Sequence, residues 1–459
     1  MEYRTESDVL GKVRVPKAAY YGSETQRAVN NFQISGEMIS WRLIESYIVI
    51  KKAAAIANVR IGKLDKKRGN AIVKACNYVL AGNLSDQFVV DVFQAGAGTN
   101  TNMNVNEVIA NKAITILNGK KGDYKIVHPN DHVNMSQSTN DTYPSAIHIS
   151  CYQAIKEDLL PALAGLEAAL NKKSREFSKT IKVGRTHLQD AVPMTLGQEF
   201  HGYAGSVGHV ARNLDNARNL LLELPIGGTA VGTGINANKK YASETVKEIN
   251  KILKSKFFVT NNTFKVMQIR QDEVTVSSII NEIAIATSKI ANDLRLLVSG
   301  PRAGISELTI PEILPGSSIM PGKINPSIPE MVGMVGFEVM GLTQATYMAA
   351  SSGQLELNVF TPVIAYNLLF SINILSNAIN TFSEKCISGI KPNKMAMEKH
   401  LEMDISVATA LTPYIGYAKA AMAARAAYLT GKSLRQVCLE MKILDKKALD
   451  KALDPKNQI

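Results

Sequence analysis

The sequence predicts a mainly α-helical protein built around a central bundle of long helices. Three observations carry that expectation. Apolar residues recur at helical spacing over stretches of about 25–30 residues, longer than the usual globular helix. Runs rich in β-formers are nearly absent, and no internal repeat or low-complexity segment interrupts the pattern. Wide apolar stripes need partners, so such helices pack as an extended bundle and are expected to pair across subunits.

The elements follow in chain order. Residues 1–40 read as irregular, with turns around Gly11, Pro16 and Gly22. Helical patterning begins near Trp41 and runs through Ile44, Ile48, Lys51 and Ala55, and a second helix covers residues 66–82. A glycine turn, Ala95-Gly96-Ala97-Gly98-Thr99, opens a helix that passes through Met103, Val108 and Ile109. Residues 124–142 are polar and loop-like. Pro144 suits the first turn of a helix, because its missing N–H has no partner there in any case. Beyond it Ile147, Cys151, Ile155, Leu159, Leu163, Leu166 and Leu170 recur at spacings of three and four. A polar junction at residues 184–190 precedes a helix at 196–222, and a glycine-rich loop spans 227–234. Long helices are expected at 270–298, 327–350 and 358–386, with shorter ones at 394–430 and 434–450. The expected domains are residues 1–137 (N-terminal, helical), 138–390 (central bundle) and 391–459 (small C-terminal).

Composition narrows the function. With 459 residues, 46% hydrophobic and 20% charged, the chain buries a large core without staples. Cys76, Cys151, Cys386 and Cys438 lie far apart with no CxxC pair, which suits reduced core thiols in a cytoplasmic protein. The polar start of the chain does not resemble a signal peptide. No uninterrupted apolar run of about 18 residues appears, so no membrane span is expected. The net charge is +12, but basic clusters such as Lys66-Lys67-Arg68 lack interleaved aromatics, which argues against nucleic acid. A positive field that draws in a small dianion is the alternative. No Cys/His cluster with metal-ligand spacing stands in the sequence, so neither metal nor cofactor is expected. P-loop and GxSxG spacings are also absent, and Ser318 and Lys323 are five apart, not the three of an SxxK nucleophile.

One stretch stands apart, Gly316-Ser317-Ser318-Ile319-Met320-Pro321-Gly322-Lys323-Ile324-Asn325-Pro326. It combines hydroxyls, a cation and an amide on a loop that glycines at both ends leave free to move. Three further polar junctions interrupt apolar helices: Thr99-Asn100-Thr101-Asn102, Ser138-Thr139-Asn140 and Thr186-His187. Each alone reads as a helix cap. Together with one His and one Lys they supply donors for a small substrate with two carboxylates.

These residues resemble the signature of the fumarase/aspartase superfamily. Gly98-Thr99 with Asn102-Met103-Asn104, His132-Val133-Asn134 with Ser138-Thr139-Asn140-Asp141, and Gly184-Arg185-Thr186-His187 stand in that family's order and spacing. The resemblance covers essentially the whole chain. It implies a three-domain fold whose central bundle builds a homotetramer core, with active sites where three subunits meet. It implies reversible anti elimination from a four-carbon dicarboxylate, giving fumarate. By resemblance Ser318 is the base, and His187, polarised by Glu330, handles the leaving group. Lys323 and Asn325 hold one carboxylate, while Thr99, Ser138, Thr139, Asn140 and Thr186 orient the rest.

Within the superfamily the residues lean two ways. Ala97, Thr139, Tyr20-Tyr21-Gly22, Pro329-Glu330 and Gly353-Gln354 resemble aspartate ammonia-lyases. Thr25-Gln26-Arg27, the run Gly227–Gly234 and Thr412–Tyr417 resemble class II fumarate hydratases. So do His128, Asn130 and Asp131, which match a second dicarboxylate site, with Lys125 where arginine is usual. The balance is read as a hydratase acting on malate and fumarate, with the ammonia-lyase as the alternative.

Overall fold

The structure, a computed structural model, describes residues 2–459. It is mainly helical, and the segment that reads as irregular holds more order than its sequence shows. Tyr3–Asp8 (β1) and Gly11–Pro16 (β2) pair as an antiparallel hairpin. Val13 and Val15 alternate with exposed Lys12 and Arg14 and pack on Ala19, a period-2 pattern too short to stand out. Ser23–Asn31 forms helix α1 without a side-chain cap of its own. Its free N–H groups are satisfied from far along the chain. Glu107 accepts from Gly22 N, Glu24 N, Thr25 N and Thr25 Oγ1 at 2.6–3.1 Å. Burial pushes the Glu107 carboxyl up to about 7 despite these four donors.

The helices then follow in order: α2 (Trp41–Arg60), α3 (Lys66–Leu80), α4 (Thr99–Ile116) and α5 (Thr139–Ala154). A π-helical turn, Ile155–Leu159, leads into α6 (Leu160–Glu176). The polar junction at 184–190 is a second hairpin, of β3 (Ile181–Thr186) and β4 (Gln189–Thr195). Next come α7 (Leu196–Ala217), β5 (Glu223–Leu224), α8 (Tyr241–Leu253), β6 (Phe258–Val259) and α9 (Thr263–Gln268). The long α10 (Gln271–Leu297) is followed by β7 (Leu308–Thr309). Then come α11 (Ser327–Ser351), α12 (Thr361–Lys385), β8 (Lys391–Pro392), α13 (Lys394–Met403) and shorter helices.

Pro144 does not open α5. It sits inside that helix, which starts five residues earlier because Ser138 and Asp141 form a capping box. α10 and the segment Thr361–Gly389 reach the length and mean hydropathy of a membrane span, 1.2 and 1.4, though neither is an uninterrupted apolar run. Half of the first window and 67% of the second are buried within the protein, as core helices are.

The chain divides into two compact units. The first comprises residues 1–160, 212–282 and 337–375. There α2 lies against α3, α5 and α8, around fully buried Tyr47, Ile48, Ile50 and Tyr143. A charged trio is sealed in the same unit: Glu273 is 3.0 Å from Arg270 Nη1 and 3.3 Å from His148 Nε2. Burial raises the Glu273 carboxyl, but Arg270 and His148 outweigh it and bring it down to about 2. A carboxylate lowered on folding stabilises the fold above its unfolded pKa and loses that contribution as the pH falls through its folded one. Glu273→Gln is therefore expected to lower the melting temperature at pH 7 and to flatten its decline between pH 4.5 and 2, measured by circular dichroism. An unchanged acid limb would show that the trio is not what titrates.

The second unit comprises residues 161–211, 283–336 and 376–459. β3 packs on α13, and the C-terminal residues enclose a core of their own around Leu411, Ala423, Cys438 and Leu449.

Candidate active site

The candidate residues fall into two groups, one in each unit. In the first unit, α4 begins at a tight glycine turn. Gly98 has φ 79°, and a Cβ there would lie 1.9 Å from the Tyr143 ring. Thr101 N and Oγ1 both donate to Gln94 Oε1 at 2.9 and 2.8 Å, and Asn100 Oδ1 accepts from Ala95 N at 3.0 Å. Thr99 is the exposed member of its junction, with one long contact to Gly96 O at 3.4 Å.

Ser138 caps α5. Its Oγ accepts from Asn140 N at 3.2 Å, and Asp141 Oδ1 accepts from Ser138 N at 3.0 Å. The same carboxylate holds the Gly227–Gly234 loop, because Asp141 Oδ2 accepts from Gly227 N and Thr229 N, each at 3.0 Å. Asn140 Nδ2 adds a bond to Ala230 O at 2.8 Å. Burial pushes the Asp141 carboxyl up to about 7, against the pull of these N–H donors. Thr139 is buried at 9% exposure, so its side chain is set before any ligand arrives.

Lys51 stands outside the motifs that the sequence picks out. It reads there as one residue of a helical stripe, yet its ammonium is completely buried. Its three donors reach Asn102 Oδ1 at 2.7 Å, Asn134 Oδ1 at 2.8 Å and Gln137 Oε1 at 2.9 Å. It thus joins α2 to α4 and to the segment that enters Ser138. The only local signal is a lysine on an apolar helix face.

His128, Asn130 and Asp131 share one turn. His128 Nδ1 accepts from Asn130 N and Asp131 N, both at 3.2 Å, while His132 Nδ1 accepts from His128 N at 2.7 Å. This use of Nδ1 leaves Nε2 as the ring nitrogen turned to other partners.

In the second unit, Thr186 pairs with Gln189, so His187 and Leu188 alone make the turn of the β3–β4 hairpin. Both take left-handed φ values, 54° and 60°, which a type I′ turn demands and which cost a non-glycine residue about 1–2 kcal/mol. Thr186 and His187 are exposed at the tip.

The Gly316–Pro326 loop is tied at its neck. Gly316 N donates to Lys323 O at 2.9 Å, and Asn325 Nδ2 donates to Gly316 O at 2.6 Å. A Cβ at Gly316 would lie 2.1 Å from Lys323 O, so that position requires glycine. Inside the loop the two serines differ. Ser317 Oγ accepts from Ile319 N at 3.2 Å and Met320 N at 3.0 Å. Those two N–H groups are thereby directed to Ser317. Ser318 and Lys323 are exposed, and neither side chain has a hydrogen bond among the described residues. Glu330 lies in the first turn of α11, half-buried, and is not hydrogen-bonded to His187 within the chain.

A family model described as "Lyase" matches residues 11–341, and one described as "Fumarase C C-terminus" matches residues 407–458. The chain belongs to the fumarase/aspartase superfamily. Its relatives in the superfamily carry both activities. An aspartate ammonia-lyase from Helicobacter pylori is 46% identical over 99% of this chain and 98% of its own length. A class II fumarate hydratase from the same species is 44% identical over 100% and 99%. Among solved structures, a fumarate lyase:delta crystallin from Brucella melitensis, crystallised bound to cobalt, superposes with TM-score 0.95 at 46% identity. It covers 99% of both chains. A class II fumarase from Schistosoma mansoni also gives 0.95, at 36% identity, covering 99% of this chain and 98% of its own. As a member of this superfamily the chain is a lyase, and a difference of two points in identity does not select the leaving group.

Proposed function

We propose that the protein is a class II fumarate hydratase, removing water from L-malate to give fumarate and catalysing the reverse addition. The observation that carries the elimination chemistry is the tied loop, which leaves Ser318 and Lys323 exposed and unpaired among the described residues while Ser317 is spent on the loop's own turn. Taking a proton from the carbon next to a carboxylate leaves an aci-carboxylate dianion, and its charge needs preorganised donors. Ser318, ionised to its alkoxide, takes the proton and becomes a neutral hydroxyl. Lys323 and the second N–H of Asn325 receive one carboxylate. Thr99, Ser138, Thr139, Asn140 and Thr186 orient the remainder. His187, supported by Glu330, protonates the departing hydroxyl. The net charge of +12 draws in the dianionic substrate.

Water as leaving group is supported by the Gly227–Gly234 run. It resembles the hydratases, and it is fastened through Asp141 and Asn140 to the helix start that bears Ser138–Asn140. His128, Asn130 and Asp131 form a second dicarboxylate site in this reading. The working protein is a cytoplasmic homotetramer of the three-segment organisation 1–137, 138–390 and 391–459. It needs no cofactor, and it engages neither nucleic acid nor membrane.

Aspartate ammonia-lyase is the second reading, favoured by the 46% identity of the Helicobacter pylori enzyme and by Ala97 and Thr139 in the pocket segments. The two are separated by following fumarate's ultraviolet absorbance with purified protein and either L-malate or L-aspartate. The rise is expected with malate. A rise with aspartate alone would replace the hydratase by the ammonia-lyase, and no rise with either would remove both.

A further inference from the structure

A second charged hub lies in the unit that carries His187. Glu307 has a fully buried side chain. Its Oε1 accepts from Arg185 Nη2 at 2.7 Å and lies 3.0 Å from His400 Nδ1 on α13. Its Oε2 is 3.2 Å from Lys182 Nζ, an ionic contact without hydrogen-bond alignment. Lys182 also reaches Glu199 Oε2 at 2.9 Å. Burial raises the Glu307 carboxyl, yet Arg185, Lys182 and His400 outweigh it and hold the group below its ordinary value.

Two features tie this hub to the hairpin tip. Residues three apart on a regular strand face opposite sides, yet Lys182 and Arg185 of β3 both meet one carboxylate. The register slips there because β4 holds an extra residue, Val192, opposite the Val183–Gly184 step, and such a bulge sharpens the local twist of the hairpin. Arg185 then leads directly into Thr186 and the left-handed pair His187–Leu188. Left-handed non-glycine residues persist only where their surroundings over-determine them. The backbone of Glu307 is itself fixed at both ends: its N donates to Leu297 O at 2.9 Å, and its O accepts from Asn393 N at 2.8 Å.

The geometry points to Glu307 as a positioning residue for the acid/base histidine, holding β3 through Lys182 and Arg185 so that His187 keeps its place at the tip. This rests on the role given to His187 above. Glu307 touches no substrate. It acts through Arg185.

The test uses the full-length protein and whichever of L-malate or L-aspartate the wild type converts. Arg185→Lys keeps the charge and loses the planar reach onto Glu307, so it folds even if Glu307→Gln does not. Its kcat is expected to fall about 10–100-fold with KM within about twofold, as for a displaced catalytic group. In a His187→Gln background the same substitution should cost nothing further. Hydrogen exchange at residues 186–189 should quicken while the unfolding midpoint stays put. Wild-type kcat in Arg185→Lys, or an equal loss in the His187→Gln background, overturns the proposal. So does a lowered midpoint with exchange quickened throughout the chain, which would mark Arg185 as a general stabiliser. Should His187→Gln turn over like the wild type, the acid/base reading itself fails and takes the positioning role of Glu307 in turnover with it, while the exchange result still reports on the clamp.

Discussion

Ser318→Ala should lower kcat for fumarate formation by about 10²–10⁴-fold, the range that loss of a positioned proton acceptor produces. Circular dichroism and the unfolding midpoint should match the wild type, because the Ser318 side chain is exposed and makes no hydrogen bond among the described residues. Ser317→Ala is the informative companion. Ser317 Oγ holds the N–H groups of Ile319 and Met320, so its loss should disorder the turn and raise KM more than it lowers kcat. Reversed results, with Ser317→Ala inactive and Ser318→Ala near wild type, would move the base by one residue.

Lys51→Met should have the largest effect on stability. The substitution keeps an unbranched but slightly shorter side chain and removes the ammonium that donates to the oxygens of Asn102, Asn134 and Gln137. A buried polar acceptor left unpaired costs about 1–3 kcal/mol, readable as a lowered midpoint in urea. The pH dependence gives a second signature. Burial lowers the Lys51 ammonium to about 7, although the Asp141 carboxylate and Cys76 pull the other way. Between pH 7 and roughly 10, the ordinary lysine value, the unfolded chain binds the extra proton. This group's contribution to stability therefore rises with pH across that window. The wild type should show that rise and Lys51→Met should lack it. Parallel pH profiles for the two would mean that the lysine is not buried in solution.

What the sequence discloses depends on how far apart the interacting residues lie. The long helices declare themselves because the 3.6-residue period needs only neighbouring residues, and α10 and α11 fall within a few positions of where it puts them. Helix α1 does not, because its N-terminal donors are met by Glu107, more than eighty positions away. The hairpin of β3 and β4 is hidden for another reason. Its turn uses His-Leu in place of the asparagine and glycine that ordinarily announce a type I′ turn. The site shows the same division. Ser318, Lys323, Thr186 and His187 stand in short motifs that sequence alone picks out. Lys51 and Glu307 lie outside such motifs, and their meaning comes from partners that only the fold brings near. Pro144 misleads because a stronger local signal, the Ser138–Asp141 box, starts the helix ahead of it.

A loop fastened at its neck can survive being cut. Ile319 and Met320 stand 83% and 49% exposed, between glycines, where a protease finds easy purchase. The two ends meet through Gly316 N to Lys323 O and Asn325 Nδ2 to Gly316 O. Both lie outside the vulnerable stretch. A single nick between Ser318 and Gly322 leaves the neck bonded, and because each compact unit draws segments from both sides of the cut, the fragments stay associated and the particle keeps its native size while denaturing electrophoresis resolves two pieces. Wear of this kind would silence the enzyme without unfolding it, and intact mass under native conditions would be no guarantee of a working preparation.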